Sequence, residues 1–228
     1  MTRKIITDID RPTEELLASF RGHSAADVHE AMGKTNAMSP EIGRVTGRRT
    51  ICGPATTVRL PTGDNMMIHV GSHLARPGDV LVIEARTTRA ATWGELATRN
   101  ALQRELEGVV SSGNVRDVDA IDDLGFPVFS RAVSQIGAVK ETVGSVNVPV
   151  TVGEVVVDPG DIVVGDADGV TVVPRREARD VLDRLEAHVE REESIKQRID
   201  RGEALFDIAG FDELLRDRNA AIPQDTDD

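Results

Sequence analysis

One cysteine, Cys52, occurs in 228 residues, so no intramolecular disulfide can form. It lies in Ile51-Cys52-Gly53-Pro54 without a positive neighbour, which makes it a small hydrophobe beside a turn rather than a nucleophile. No apolar run approaches the roughly 18 residues of a membrane span, and no signal-peptide core follows the N-terminus. The expectation is a cytoplasmic protein with no membrane partner. Lysine is scarce: Lys4, Lys34, Lys140 and Lys196 are the whole set. None lies on an apolar strand, which disfavours a Schiff-base lysine, since that chemistry needs a desolvated amine. Basic clusters are missing too, and the net charge is −12. That excludes nucleic acid held mainly through its phosphates, but not a small anionic substrate, which needs only a local positive site. Gly-x-Ser-x-Gly, Walker and GxGxxG patterns, internal repeats and low-complexity linkers are all absent.

What is present describes a soluble globule: 39% apolar and 29% charged residues, in a chain long enough for a sizeable core. Pro12 to Phe20 has proline and acids in a first helical turn. Ser24 opens a second helix over Val28 to Met32, with Gly33 as its stop. Ala55 to Leu60 alternates like a strand, and Asp64 to Leu74 suits a helix. Val80 to Ile83 is a continuous apolar run of buried-strand type. A helix over Gly94 to Glu107 would bury Leu96, Leu102 and Leu106. Val109-Val110 and Pro127 to Phe129 are strand-like, and the strand–helix–strand order predicts parallel pairing. From Val143 the pattern is β: Val146 to Val150, Val155 to Val157, Ile162 to Val164 and Val170 to Val173. A long amphipathic helix then carries Ala178, Val181, Leu182, Leu185, Val189, Ile195 and Ile199 on one stripe, with Gly202 as its stop. The expected organisation is one α/β domain over residues 1–205. Residues 206–228 would add a short helix at Phe211 to Leu215 and an acidic tail from Pro223.

Chemistry concentrates in Gly113-Asn114-Val115-Arg116-Asp117, which sets a cation and a carboxylate side by side after the apolar run Leu106 to Val110. A carboxylate there can hold a divalent metal, and the arginine can grip a carboxylate substrate or a developing oxyanion. Strand C-terminal ends are where α/β proteins place binding residues. Gly94 at a helix start adds free backbone N–H groups that cradle an anion. Glu95 supplies a second carboxylate, twenty-one positions before Arg116. The other acids are weaker candidates. Asp158, Asp161, Asp166 and Asp168 lie in turns, where aspartate caps its own backbone, and Asp119, Asp122 and Asp123 form a solvated patch. His69 and His73, four apart on a helix, are a conceivable metal pair.

At these residues the chain resembles the family of regulator of ribonuclease activity A and the class II 4-hydroxy-4-methyl-2-oxoglutarate aldolases. The resemblance runs over roughly residues 20 to 205, through Pro77 to Val82, Gly94 to Leu96, Gly113 to Asp117, Pro127 to Phe129, Pro159 to Asp161 and Asp166 to Val170, in that order. It implies a swivelling β/β/α domain with a long C-terminal helix, assembled as a homotrimer or homohexamer with active sites between subunits. By position it implies that Asp117 binds Mg²⁺ or Mn²⁺ and that Arg116 contacts the pyruvyl oxygens. The N–H groups of Glu95, Leu96 and Ala97, behind Gly94, would cradle the substrate carboxylate. Glu95 would hold a metal-bound water, and Glu192 or Glu193 from a neighbouring subunit would complete the outer shell. The implied activity is a metal-dependent aldolase and decarboxylase that releases pyruvate from small 2-oxo acids, oxaloacetate among them. The alternative is a non-enzymatic regulator that binds an RNA-processing enzyme.

Overall fold

The computed structural model describes residues 3–86, 89–218 and 220; the acidic tail expected over 223–228 lies outside them. Helices α1 (Glu14–Phe20) and α2 (Ala25–Ala31) come first. The side chains of Thr13 and Ser24 cap them, accepting from the N–H groups of Leu16 and Asp27, which offsets the unpaired donors of a short helix. Next come β1 (Gly43–Thr46), β2 (Ile51–Arg59), α3 (Met66–Leu74), β3 (Val80–Glu84), β4 (Ala91–Trp93), α4 (Glu95–Gln103), β5 (Gly108–Val115), α5 (Val118–Asp123) and β6 (Val128–Val133). The β-rich part follows as β7 (Ser145–Val146), β8 (Val150–Val152), β9 (Val155–Val157), β10 (Ile162–Gly165) and β11 (Val170–Val173). A 3₁₀ turn at Arg175–Glu177 leads into α6 (Ala178–Asp200), then α7 (Leu205–Ile208) and α8 (Phe211–Asp217).

The main sheet runs β1-β6-β5-β3-β2-β10-β11, with β4 added to β5 and β7 to β2. Its centre is parallel: β2 with β3, β3 with β5 and β5 with β6. Parallel strands joined by crossover helices are buried on both faces, which is why β3 is apolar at every position from Val80 to Ile83. Alternation then divides them. Leu81 and Ile83 pack with Ile68, Trp93, Ala101 and Ile121 under α3, α4 and α5. Val80 and Val82 pack with Val150, Val152, Val155 and Val157 of the β8–β9 hairpin on the other face. This layering of hairpin, sheet and helices is the expected β/β/α arrangement.

Two compact units divide the chain, one up to Leu185 and one from Glu186 on. In the first, Ala178, Val181 and Leu185 of α6 are buried. In the second, α6 ends at Asp200, the turn after it holds Gly202 at φ 92°, and Phe206 meets Phe211 edge-on at 6.0 Å.

Several local expectations change. The single strand over Val146 to Val150 is two elements, because Asn147 takes a left-handed φ of 56° and breaks the extended run between β7 and β8. Helix α4 stops at Gln103, not Glu107, since Glu105 is left-handed at φ 56° and turns the chain into β5. Leu96 and Leu102, expected in the apolar stripe of that helix, are 80% and 37% exposed; Leu96 sits in the first turn, at the mouth of a cleft rather than over the core. Strands β1 and β4 and helices α5 and α7 had no counterpart in the sequence reading.

Candidate active site

Strand β5 delivers Arg116 and Asp117. The Arg116 N–H donates to the Trp93 carbonyl at 3.0 Å, so the chain leaves the sheet stapled to the end of β4. Asp117 then adopts φ 58°, ψ 37°, a left-handed conformation at the start of α5, and its side chain does not cap that helix. A non-glycine residue is held there at a cost of about 1 kcal/mol or more. The strain turns its carboxylate to the neighbouring helix. Asp117 Oδ2 accepts from the Glu95 N–H at 3.1 Å and lies 3.5 Å from Arg116 Nε. A carboxylate at the N-terminus of α4 sits in its favourable dipole end. Gly94 is required by close approach: a Cβ there would lie 2.7 Å from Asp117 Oδ2 and 3.1 Å from Arg116 Cγ.

These residues open onto a cleft of about 110 Å³. Gly94, Leu96 and Ala97 form one wall, Arg116 and Asp117 another, and Asn65 and His69 of the α3 region a third, with Ala138 and Lys140 closing it. The N–H groups of Leu96 and Ala97 fall in the first helical turn and so lack intrahelical acceptors. Asn65 is fixed by its Nδ2, which donates to the Thr92 carbonyl at 3.1 Å; its Oδ1 is buried and has no hydrogen-bond partner among the described residues.

Lys140 is placed by backbone pairing. The Val139 N–H donates to the Gly63 carbonyl at 3.0 Å, and the Asn65 N–H to the Val139 carbonyl at 2.9 Å. Buried Asp64 accepts from the N–H groups of Met66, Glu141 and Thr142 at 2.7, 2.6 and 2.8 Å. Burial pushes the Asp64 carboxyl up, but the three N–H donors and Lys140 outweigh it and hold the group below its ordinary value. Burial, then the charge of Lys140, holds His69 below its ordinary value, which favours the neutral imidazole.

The structure brings Gly94, Leu96, Ala97, Arg116 and Asp117 together around one cleft. Glu95 contributes its backbone N–H, while its carboxylate pairs with Arg99 at 2.8 Å, one turn along α4. Glu192 and Glu193 belong to the second unit, where Glu192 lies 3.5 Å from Lys196 and Glu193 accepts from Gln197 at 3.3 Å. His69 lines the cleft; His73 does not. Asp161 and Asp166 serve their turns: Asp161 accepts from the N–H groups of Asp158 and Arg175, and Asp166 from those of Ala25 and Asp168. Sequence reasoning missed Asn65 and the placement of Lys140. Their signal was thin, a polar residue before a helix and a lysine in a polar loop.

The residues present fit a hard divalent cation. Asp117 is half-exposed, its Oδ1 makes no hydrogen bond among the described residues, and Gly94 keeps the space beside it clear. One oxygen donor of this kind suits a cation that retains most of its water, as Mg²⁺ does.

Comparison with known proteins agrees with this architecture. Residues 25–172 match the family model RraA-like, described as Aldolase/RraA. A protein of Halalkalibacterium halodurans named "Putative 4-hydroxy-4-methyl-2-oxoglutarate aldolase" is 34% identical over 170 residues, covering 74% of this chain and 80% of that one. Streptomyces coelicolor RraAS2, described as an unusual member of the RNase ES inhibitor RraA protein family, superposes with a TM-score of 0.74 at 26% identity, covering 84% of this chain and 100% of that one. A Pseudomonas syringae structure shares the fold, with a TM-score of 0.78 at 24% identity over 88% of this chain and 95% of that one. The chain belongs to the Aldolase/RraA family.

Proposed function

We propose that this protein is a divalent-metal-dependent lyase that cleaves small 2-oxo acids and releases pyruvate, with oxaloacetate decarboxylation as a second outcome of the same site. The observation that carries this reading is the Arg116 and Asp117 pair, presented at one cleft against the free N–H groups that open α4. A 2-oxo acid would set its carboxylate on the Leu96 and Ala97 N–H groups and its keto oxygen toward Arg116. A cation on Asp117, when bound, would add Lewis-acid stabilisation of the negative charge that develops on that oxygen.

The chain's own residues supply the rest. Cleavage breaks the C3–C4 bond, the 4-hydroxyl loses its proton and becomes a carbonyl, and the electron pair moves onto the pyruvyl fragment as an enolate. Loss of CO₂ from oxaloacetate leaves the same enolate. The Arg116 guanidinium, a planar fork of donors, stabilises it through interactions that strengthen as the charge forms. Lys140 raises the positive potential of the cleft, and neutral His69 offers a proton acceptor within it. Glu95 would orient a water for protonation at C3; release of its carboxylate from the exposed Arg99 pair costs about 0–1 kcal/mol.

The wider reading is a cytoplasmic homotrimer or homohexamer in which Glu192 or Glu193 of one copy completes the site of the next. Helix α6, 23 residues and about 35 Å long, supports it. Among the described residues no helix is long and apolar enough to cross a membrane. A second reading, a regulator that binds an RNA-processing enzyme, draws on the Streptomyces relative. Metal separates the two. The lyase should release pyruvate from oxaloacetate and from 4-hydroxy-4-methyl-2-oxoglutarate with added Mg²⁺ or Mn²⁺, and chelation should abolish it. Absence of pyruvate with both metals would refute the lyase.

A further inference from the structure

We infer that a second cavity, next to the cleft but separate from it, binds a small organic anion. This cavity of about 210 Å³ is lined by three guanidinium groups, Arg3, Arg59 and Arg86, and among the described residues by no acidic one. Such a cluster stands out in a chain of net charge −12. Its internal compensation is partial. Glu84 serves two of the three: Arg59 Nε donates to its Oε2 at 3.0 Å, and Arg86 Nε lies 3.6 Å from its Oε1. Arg59 also donates to the Pro149 carbonyl, an acceptor without net charge. Arg3 makes no hydrogen bond or ion pair among the described residues. Arg3 therefore leaves the cavity a positive charge that no described carboxylate pairs, the complement of an anion.

Ligand chemistry follows from the donors and the space. Guanidinium forks match the paired oxygens of carboxylates and phosphates. The volume corresponds to about seven waters at roughly 30 Å³ each, room for a short dicarboxylate or a small phosphate ester rather than a bare ion. The floor is backbone. At Gly144 a Cβ would lie 2.2 Å from the Arg59 carbonyl oxygen, so the chain rests directly on β2 and keeps the cavity open above it.

The cavity shares two walls with the cleft. In the stretch 138–145, Ala138 and Lys140 line the cleft, while Thr142 and Gly144 line the arginine cavity. In the loop 61–65, Pro61 and Thr62 belong to the cavity and Asn65 to the cleft. Asp64 ties the two stretches together through the N–H groups of Glu141 and Thr142. An anion on Arg3 and Arg59 therefore rigidifies the wall that carries Lys140.

The test is calorimetry on the full chain, with inorganic phosphate, succinate and neutral glycerol as probes. At least one of the two anions should bind with a Kd of about 1 mM or tighter, and glycerol should not bind. Arg116→Ala should leave that binding in place, whereas Arg3→Glu, and separately Arg86→Glu, should weaken it at least tenfold. Hydrogen exchange at residues 142–145 should slow when the anion is added. Preference for phosphate assigns the site to phosphate esters, and preference for succinate assigns it to dicarboxylates. The inference is overturned if neither anion binds, if binding survives both arginine reversals, or if it is lost in Arg116→Ala, which would place it in the cleft.

Discussion

Gly94→Ala isolates the geometry of the site from the stability of the fold. Gly94 has φ −167° and ψ −172°, extended backbone that alanine adopts freely, so the substitution adds no conformational strain. Its Cβ would lie 2.7 Å from Asp117 Oδ2, 3.1 Å from Arg116 Cγ and 3.3 Å from Arg116 Nε, where 3.4 Å is an ordinary contact. The carboxylate must therefore retreat by about 0.7 Å, or rotate and lose its hydrogen bond from the Glu95 N–H. Both obstructing side chains are partly exposed and can move, so the stability cost should stay near the ~1 kcal/mol of alanine at a helix N-cap. A catalytic group displaced by about 1 Å costs up to ~100-fold, so kcat/KM for pyruvate release should fall by about 10–100-fold. Lactate-dehydrogenase-coupled pyruvate assays with Mg²⁺, beside thermal melts, measure both quantities. Gly53→Ala is the contrast: its Cβ would lie 2.1 Å from the Gly78 carbonyl oxygen. Backbone cannot swing away there, and about 1–3 kcal/mol of stability should be lost. A folded Gly94→Ala enzyme with kcat/KM within about twofold of wild type would refute the claim that the placement of Asp117 matters.

Asp117→Ala should keep the fold and lose Mn²⁺ affinity in calorimetric titration; unchanged affinity would remove Asp117 as the metal-holding residue. Arg116→Lys should lower kcat/KM at least about tenfold, because a point charge cannot reproduce the planar fork; near-normal kinetics would reduce Arg116 to a partner in a surface ion pair. Asp64 has a lowered folded pKa, so its stabilisation is present above the unfolded value of about 3.9 and is lost as pH falls through the folded value. Asp64→Asn should cost about 1–3 kcal/mol at pH 7, with a gap to wild type in urea unfolding that narrows below about pH 3.9; a gap independent of pH would show that the charge is not what holds the 139–142 segment. Mixing Asp117→Ala subunits with Glu192→Ala, Glu193→Ala subunits should restore some activity if the site is shared between copies, and a dead mixture with confirmed exchange would place those glutamates outside the site.

Much of this molecule was legible in its sequence because local rules decide it. Val80 to Ile83 had to be a strand buried on both faces, since a four-residue apolar run after Pro77-Gly78-Asp79 has no solvated face to offer. Pro12 with the acids after it marked the first helix start and Ser24 the second, and Gly202 marked the stop of α6 because a left-handed turn costs glycine little. The Arg116-Asp117 pair was visible because a charged dipeptide after an apolar run is expensive to place anywhere but at a strand end. The sequence did not determine which way those charges face. That depends on the left-handed turn at Asp117, and on the missing Cβ of Gly94 and the staple from the Arg116 N–H to Trp93, two relations between residues more than twenty positions apart. Nor could local pattern foresee that Glu95 would turn to Arg99, that Leu96 would leave the core, or that Asn65 and His69 of the α3 region and Lys140 of a distant loop would converge on the cleft. Backbone pairing of residues 61–65 with 138–142 made that convergence, and Asp64 fixed it by burying one carboxylate among three N–H donors. Local propensity sets the elements, but only the tertiary arrangement decides which side chains share a space.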